Sequence, residues 1–187
     1  MKPGRRDSTL TFTEDTVERA GDGSWCFINE AAAYYEATRC KWPVAQVISN
    51  SPTGLVLHRY AYDATYIPDG WTAEDWALHV SEFYGNLPFR HGSPKAVHVV
   101  YDDPTDLRVI DLEFSRYHDG SPFAPPQAGP PYEEWDYSSE RSIGWDSGYM
   151  LLDLMRAPDS IVDAYTDGYP LTFDHPIVVA AWELRDQ

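Results

Sequence analysis

The chain has 187 residues and a mass of 21.3 kDa, with 43% hydrophobic residues, 14% aromatic residues and a formal net charge of −16. This length suits one domain with a substantial hydrophobic core, and the aromatic content excludes a disordered chain. The acidic balance argues against direct binding to nucleic acid or to an anionic membrane.

The negative charge is concentrated in the second half of the chain. From Asp102 to Gln187 there are 18 acidic residues against 5 Arg and no Lys, a balance of −13, whereas the first 101 residues have a balance of −3. Such a field favours a basic protein partner and speeds association with it. Acidity also serves solubility alone, and the sequence leaves both interpretations open.

The two cysteines, Cys26 and Cys40, form neither a disulfide framework nor a zinc motif, so we expect reduced thiols and a cytoplasmic location, or a virion if the chain comes from a phage. No apolar segment follows the basic residues near Met1, and no run approaches the length of a membrane span, so we expect no signal peptide and no membrane. The histidines lack ligand spacing and no glycine-rich phosphate loop occurs. We therefore expect neither metal nor cofactor.

The first elements are predicted from turn residues and periodicity. Residues 1–8 form a loose tail, and Thr9–Thr13 is a short strand. Ser24 is the N-cap of a helix over Trp25–Arg39, because residues at helical spacing follow it. The apolar residues at that spacing are Ile28, Ala31, Ala32 and Tyr35.

A hairpin and a second helix come next. Val44–Ser49 and Leu55–Tyr62 alternate as strands do, and Asn50–Gly54 between them consists almost entirely of turn formers. Thr72 then caps the clearest helix of the chain, which ends near Gly85.

Residues 95–114 are the longest stretch in which strand pattern and turn chemistry agree, and they predict the central hairpin of the sheet. One register pairs Tyr101 with Leu107 and mixes apolar and polar residues on each face. The other pairs Asp102 with Leu107 and keeps one face wholly apolar. We favour the second register, because a slip of one residue would move the apolar set to the solvent.

The favoured register sets Val97 opposite Leu112, and it places His98 directly across from Asp111. Cys26 lies near the start of the first predicted helix, where unpaired amides and the helix dipole lower the pKa of a thiol. These three residues form a possible nucleophile, base and orienting carboxylate: Cys26, His98 and Asp111.

The order of these residues along the chain, with the cysteine in the stretch GDGSWCFINEAAAYY, resembles the layout of papain-like and related cysteine hydrolases. The resemblance implies acyl-transfer chemistry, such as amide hydrolysis, deamidation or transglutamination. The alternative interpretation without catalysis is that Cys26 is a buried structural residue and that His98 and Asp111 form a solvated surface pair.

Residues 118–140 contain five prolines between Pro122 and Pro131 and predict a long irregular loop. The loop includes an acidic aromatic run that suits partner binding, formed by Tyr132, Glu133, Glu134, Trp135, Asp136 and Tyr137.

The C-terminal part predicts two helices and a strand. The first helix covers Ser147–Arg156, and the second runs from Pro158 through Tyr165 and is stopped by Gly168. The nearly continuous apolar run Pro176–Leu184 is typical of an interior strand.

Together these patterns predict a single α+β domain over residues 1–187, with a mainly antiparallel sheet of about five strands packed by two to four helices. The function they favour is a non-enzymatic acidic protein that binds a basic protein, as an inhibitor or immunity protein, a mimic of DNA, or a phage accessory or virion component. The alternative is a small cysteine hydrolase or acyltransferase that uses Cys26, His98 and Asp111. Nothing in the sequence indicates the oligomeric state.

Overall fold

A computed structural model describes residues 10–124, 143–168 and 176–185, which form seven β-strands, five α-helices and two single-turn 3-10 helices. The α+β class predicted from the sequence is confirmed. The strands are β1 Leu10–Phe12, β2 Thr16–Ala20, β3 Val47–Ser51, β4 Gly54–His58, β5 Tyr62–Asp63, β6 Val99–Tyr101 and β7 Arg108–Val109. The α-helices are α1 Trp25–Cys40, α2 Ala73–Gly85, α3 Ile143–Leu154, α4 Asp159–Asp167 and α5 Pro176–Arg185. The 3-10 helices are Ala96–His98 and Leu112–Phe114.

The strands are divided between two antiparallel sheets. The larger sheet has the order β1-β2-β4-β3, and the smaller one has the order β5-β6-β7. The predicted hairpin between β3 and β4 is present, with a bulge between Val47 and Ser49. In β4 the side chains of Leu55 and Leu57 are buried in alternation, so this strand covers the core with one face.

The hairpin formed by β6 and β7 has the register that we did not favour. Val99 lies opposite Val109 and Val100 opposite Arg108, so the preferred register is one residue off. The preferred register assumed a regular β-ladder that keeps one face apolar. The ladder is too short for this, because residues 96–98 and 112–114 form 3-10 turns. Val97, which was expected to pair with a core residue, is 46% exposed.

The first two helices begin where their capping residues predict. The Ser24 hydroxyl accepts a hydrogen bond from the Phe27 amide at 3.2 Å, and the Thr72 hydroxyl accepts one from the Asp75 amide at 3.1 Å. The Thr72 hydroxyl also donates to the Asp75 carboxylate at 2.7 Å, so the cap residue and the acidic residue three positions on are joined by two hydrogen bonds.

The inward face of α1 is not the predicted stripe. Tyr35 is 69% exposed, whereas the polar side chains Asn29 and Glu30 are fully or almost fully buried beside Ala33 and Tyr34. The helix is therefore rotated so that two polar side chains enter the domain.

The apolar run at the C-terminal end is a helix, so the strand predicted over Pro176–Leu184 is wrong. Ile177, Val178 and Ala181 are buried and follow the helical spacing, and proline at the first position suits a helix start. α5 packs on α3, and these two helices with α4 surround a second apolar core. Short apolar runs do not distinguish a buried strand from a buried helix, which explains the error.

Two cores meet at helix α2. The main core lies between α1, α2 and the two sheets, and Ala77 of α2 belongs to the second core. A buried hydrogen bond of 2.8 Å from the Ser81 hydroxyl to the Ser147 carbonyl joins α2 to α3. Across the part of the chain that the structure describes, no helix is long and apolar enough to cross a membrane.

Candidate functional site

The structure brings two of the three predicted catalytic residues together. His98 Nε2 lies 3.1 Å from Asp111 Oδ2, although the contact does not arise from a regular cross-strand pair. Asp111 has a left-handed backbone with φ of 62°, which turns the chain out of β7 and into the second 3-10 helix. His98 Nδ1 donates to the Ser93 carbonyl at 2.9 Å. Both ring nitrogens of His98 are therefore engaged by oxygen atoms of other residues.

Cys26 does not have the electrostatic environment that its helix position suggests. Burial, together with the Glu113 carboxylate and against the opposing effect of the Arg19 guanidinium, raises the pKa of its thiol to about 11. The expected lowering of this pKa is contradicted, because desolvation outweighs the helix dipole. The side chain packs with Trp25 and Ala124 in a small apolar cluster, which is how a structural cysteine behaves.

The His98–Asp111 pair belongs to a larger group of charged side chains, here named the interior cluster: Arg19, Glu30, His98, Asp111 and Glu113. Arg19 lies at its centre and contacts all three carboxylates. Its Nη1 bonds Glu30 and lies 3.8 Å from Asp111 Oδ1, and its Nη2 donates to Glu113 Oε2 at 3.0 Å. The Arg19 guanidinium thus contacts three acidic groups, of which Asp111, with 27% of its side chain exposed, is the most accessible to solvent.

Burial shifts the protonation equilibria in and beside this cluster. Desolvation, together with repulsion by Asp111 and Glu113, raises the pKa of Glu30 to about 8. The Arg19 guanidinium partly offsets this rise. Desolvation also lowers the pKa of His91 to about 4, with a further contribution from the neighbouring His98. The two imidazole rings lie 5.8 Å apart between centroids.

Asn29 of α1 holds the backbone around the cluster. Its Nδ2 donates to the carbonyls of Glu113 and Ser115 at 3.1 and 3.0 Å, and its Oδ1 accepts from the amides of Phe123 and Ala124 at 2.9 and 3.0 Å. Four hydrogen bonds saturate this buried amide, so α1 fixes two distant segments of the chain. Sequence reasoning missed Arg19, Asn29 and Glu30. The available signal was the pair Asn29 and Glu30, which interrupts the apolar run over residues 25–35.

A second region differs from the interior cluster in being open to solvent. We name it the acidic-aromatic face and define it by Tyr62, Tyr66, Ile67, Asp102, Asp103 and Asp106. Tyr62 stacks on Tyr66 with ring centroids 4.6 Å apart and on the buried Tyr101 at 5.5 Å. Tyr62, Tyr66 and Ile67 are 42%, 49% and 41% exposed. The three aspartates lie in the turn that joins β6 to β7 and are all exposed.

Next to this face is a surface pocket of about 360 Å³, here named the Asp102 pocket. Its lining consists of Glu14, His58, Arg59, Tyr60, Ala61 and Asp102. Ala61 directly precedes Tyr62 and Asp102 directly follows Tyr101. Asp102 therefore belongs both to the lining of the pocket and to the acidic-aromatic face.

Several predicted segments lie outside the described residues. These are the tail over residues 1–8, most of the loop over residues 118–140, and the predicted partner-binding residues Tyr132, Glu133, Glu134, Trp135, Asp136 and Tyr137. No protein-family model matches the sequence, and no curated protein matches it significantly. Function is therefore argued from the geometry alone.

Proposed function

We propose that this protein is a non-enzymatic acidic interaction protein that binds a basic protein partner through the acidic-aromatic face. The observation that carries the proposal is the exposed stack of Tyr62 and Tyr66 beside the aspartate-rich turn. Inhibitors and immunity proteins of basic enzymes, mimics of DNA, and phage accessory proteins are the classes in which this chemistry would operate.

The tyrosines supply the affinity in this proposal. Tyrosine is enriched in interface hot spots, because a large rigid ring gains contact area at little cost in conformational entropy. The Tyr62 ring is held between Tyr66 and Tyr101, so its orientation is set before a partner arrives. A pre-ordered ring avoids part of the ordering cost of binding.

The aspartates supply the electrostatic steering. Asp103 accepts hydrogen bonds from the amide and hydroxyl of Thr105 at 2.8 and 2.7 Å, so its carboxylate is fixed in the turn. Together with the balance of −13 from Asp102 onward, these charges attract a basic surface over the distance of a Debye length. The acidic run over residues 132–137 is proposed as an additional arm of the same interaction.

The test uses the full chain as bait in cells that express it, followed by purification of the captured protein and measurement of its association kinetics. Asp103→Asn with Asp106→Asn is expected to slow association about three- to tenfold at low salt and to flatten its salt dependence. Tyr62→Ser with Tyr66→Ser is expected to raise the dissociation rate at least about tenfold.

The matched control is Asp159→Asn with Asp163→Asn, two exposed residues of α4 that give the same change in net charge. If the control slows association as much as the turn variant does, only the net charge matters and the face is not the binding site. Failure to capture any basic protein contradicts the proposal altogether.

A cysteine hydrolase or acyltransferase is the second candidate, and the 3.1 Å contact between His98 and Asp111 is the observation that favours it. In this mechanism His98 would take the Cys26 proton, the thiolate would attack an acyl carbon, and the leaving group would depart with the proton returned by His98. Water or an amine would then release the acyl group from Cys26. The raised pKa of the thiol and the Ser93 carbonyl on His98 Nδ1 both work against this role. The interaction protein is therefore the better-supported function.

A further inference from the structure

The Asp102 pocket has an acidic group that is fixed in position yet open to solvent. Asp102 Oδ1 accepts a hydrogen bond from the Ala61 amide at 2.8 Å, and Oδ2 lies 3.2 Å from His58 Nε2. The side chain of Asp102 nevertheless remains 53% exposed. Each carboxylate oxygen can accept more than one hydrogen bond, so acceptor sites remain available on the solvent side.

The other walls of the pocket add an aromatic surface and a second carboxylate. The Tyr60 ring lies edge-on to His58 with centroids 4.8 Å apart, and the Tyr60 hydroxyl accepts from the Gln46 amide at 3.2 Å. Glu14 also lines the pocket and lies in the turn between β1 and β2. Within residues 10–124, 143–168 and 176–185 no basic side chain forms an ion pair with Glu14.

The lining also contains one positive charge, that of Arg59. Arg59 Nη1 donates to the Thr13 carbonyl at 2.7 Å, and its guanidinium carbon lies 6.0 Å from the centroid of the Phe12 ring. These contacts hold the Arg59 side chain against the β1–β2 hairpin. The two carboxylates of Glu14 and Asp102 outnumber this anchored guanidinium, so the lining retains a negative balance that, with the Tyr60 ring, favours a guanidinium or ammonium group.

From this arrangement we infer that the Asp102 pocket receives one arginine or lysine side chain of the basic partner, with the carboxylates of Asp102 and Glu14 as its acceptors. The inference rests on the proposed function and names the chemical group that the partner inserts. Because the pocket and the acidic-aromatic face share Asp102, the inserted cation would fix the register in which the partner meets Tyr62 and Tyr66. Arginine is the stronger candidate, since its planar fork suits a carboxylate and stacks on an aromatic ring.

The experiment uses two capped tripeptides, Gly-Arg-Gly and Gly-citrulline-Gly, which differ in charge but hardly in shape. Each is titrated into the isotopically labelled full chain, and the backbone amide of Ala61 reports binding by nuclear magnetic resonance. The arginine peptide is expected to shift this amide saturably, with a dissociation constant of about 1–10 mM. The citrulline peptide is expected to bind at least about fivefold more weakly.

Glu14→Gln combined with Asp102→Asn is expected to weaken the arginine peptide about tenfold, because both acceptor charges are removed. Asparagine retains an oxygen for the Ala61 amide, so the loop is preserved. The matched control is Asp159→Asn with Asp163→Asn, exposed residues of α4 that give the same change in net charge, and it is expected to leave binding unchanged. Equal shifts with both peptides, or shifts spread evenly over the exposed aspartates of α4, would overturn the inference.

The same variants separate this inference from the proposed function. If Tyr62→Ser with Tyr66→Ser abolishes association with the captured partner while Glu14→Gln with Asp102→Asn leaves it intact, the pocket is not used and the face still is. If the arginine peptide binds in the pocket but no basic protein is captured, the cation site stands and the proposed function falls.

Discussion

The interior cluster and the acidic-aromatic face use the same acidic side chains in opposite ways. In the interior, Glu30, Asp111 and Glu113 surround one guanidinium and are largely removed from water. On the face, Asp102, Asp103 and Asp106 are exposed: Asp102 accepts from the Ala61 amide, Asp103 accepts from Thr105, and Asp106 pairs with the guanidinium of Arg108 at 2.6 Å. Burial decides whether a carboxyl group keeps its proton, whereas exposure leaves its charge free to act at a distance.

This contrast separates the residues that hold the fold from those that are available for a partner. Removing one member of a buried ion network leaves its partners uncompensated in a region of low dielectric constant. Removing an exposed carboxylate changes stability little, since water and salt already screen it. Changes in the interior should therefore affect unfolding, and changes on the face should affect association.

The largest expected effect is that of Arg19→Met, which keeps the aliphatic stem and removes the positive charge that contacts Glu30, Asp111 and Glu113. We expect a loss of about 3–5 kcal/mol in the free energy of unfolding at neutral pH. Chemical denaturation followed by circular dichroism measures it. The matched control is Arg39→Met, because Arg39 pairs with Glu36 on the surface and is 63% exposed. The control should lose no more than about 0.5 kcal/mol, and equal losses would mean that the interior cluster has no special role.

The next effect concerns pH and separates Glu30 from its neighbours. The ordinary pKa of Glu30 is 4.5, and in the folded protein it is about 8, so the folded state binds the extra proton between these values. The free energy of unfolding therefore falls as pH rises through this window, by at most about 1.4 kcal/mol per pH unit. His91 has the opposite sign, since its pKa is lowered from 6.5 to about 4, and its contribution rises with pH only up to about 6.5.

Above pH 6.5 the free energy of unfolding should therefore still fall because of Glu30, while His91 no longer opposes the fall. Glu30→Gln keeps the shape of the side chain and removes the titration. The difference between the stability curves of the native protein and this variant should change between pH 6.5 and 8, whereas Glu18→Gln should give a curve parallel to the native one. Parallel curves for Glu30→Gln would show that Glu30 is ionised in the folded state throughout.

Much of the fold follows from local signals in the sequence. Ser24 and Thr72 mark two helix starts, and Asn50–Gly54 marks a hairpin, because each needs only side chains within a few residues. The register of β6 and β7 could not be predicted in this way. It depends on Pro43 and Ala45, which bond Val109 from the far side at 3.1 and 2.9 Å and belong to a distant part of the chain.

The candidate site was predictable only in part. The contact between His98 and Asp111 was expected from the correct hairpin but from the wrong register, and it exists because Asp111 adopts a left-handed conformation. Arg19 was not predicted, because a buried arginine in the short strand β2 is stable only when acidic partners accompany it. Its partners Glu30 and Glu113 belong to other parts of the chain. No periodicity indicates such a long-range compensation.

A smaller effect distinguishes the two cysteines and tests the hydrolase alternative. With a pKa of about 11, the Cys26 thiol is about one-thousandth ionised at pH 8, and it is half-buried, whereas Cys40 is exposed. Iodoacetamide should therefore modify Cys40 at least about tenfold faster, as peptide mass spectrometry would show. Rapid modification of Cys26 at pH 7 would instead favour a nucleophile, and His98→Ala should then abolish that reactivity.

The smallest effect on stability is expected where we propose the largest effect on binding. Tyr62→Ser with Tyr66→Ser removes two exposed rings, and thermal denaturation should show a loss of only about 1 kcal/mol, since solvent already reaches both side chains. Tyr101→Ser is the matched control, because this ring belongs to the same stack but is 1% exposed and its hydroxyl donates to the Tyr66 carbonyl at 2.8 Å. It should cost several kcal/mol. If Tyr62→Ser with Tyr66→Ser lowers the free energy of unfolding as much as Tyr101→Ser does, these rings are part of the core. The face would then have no exposed aromatic surface available for a partner.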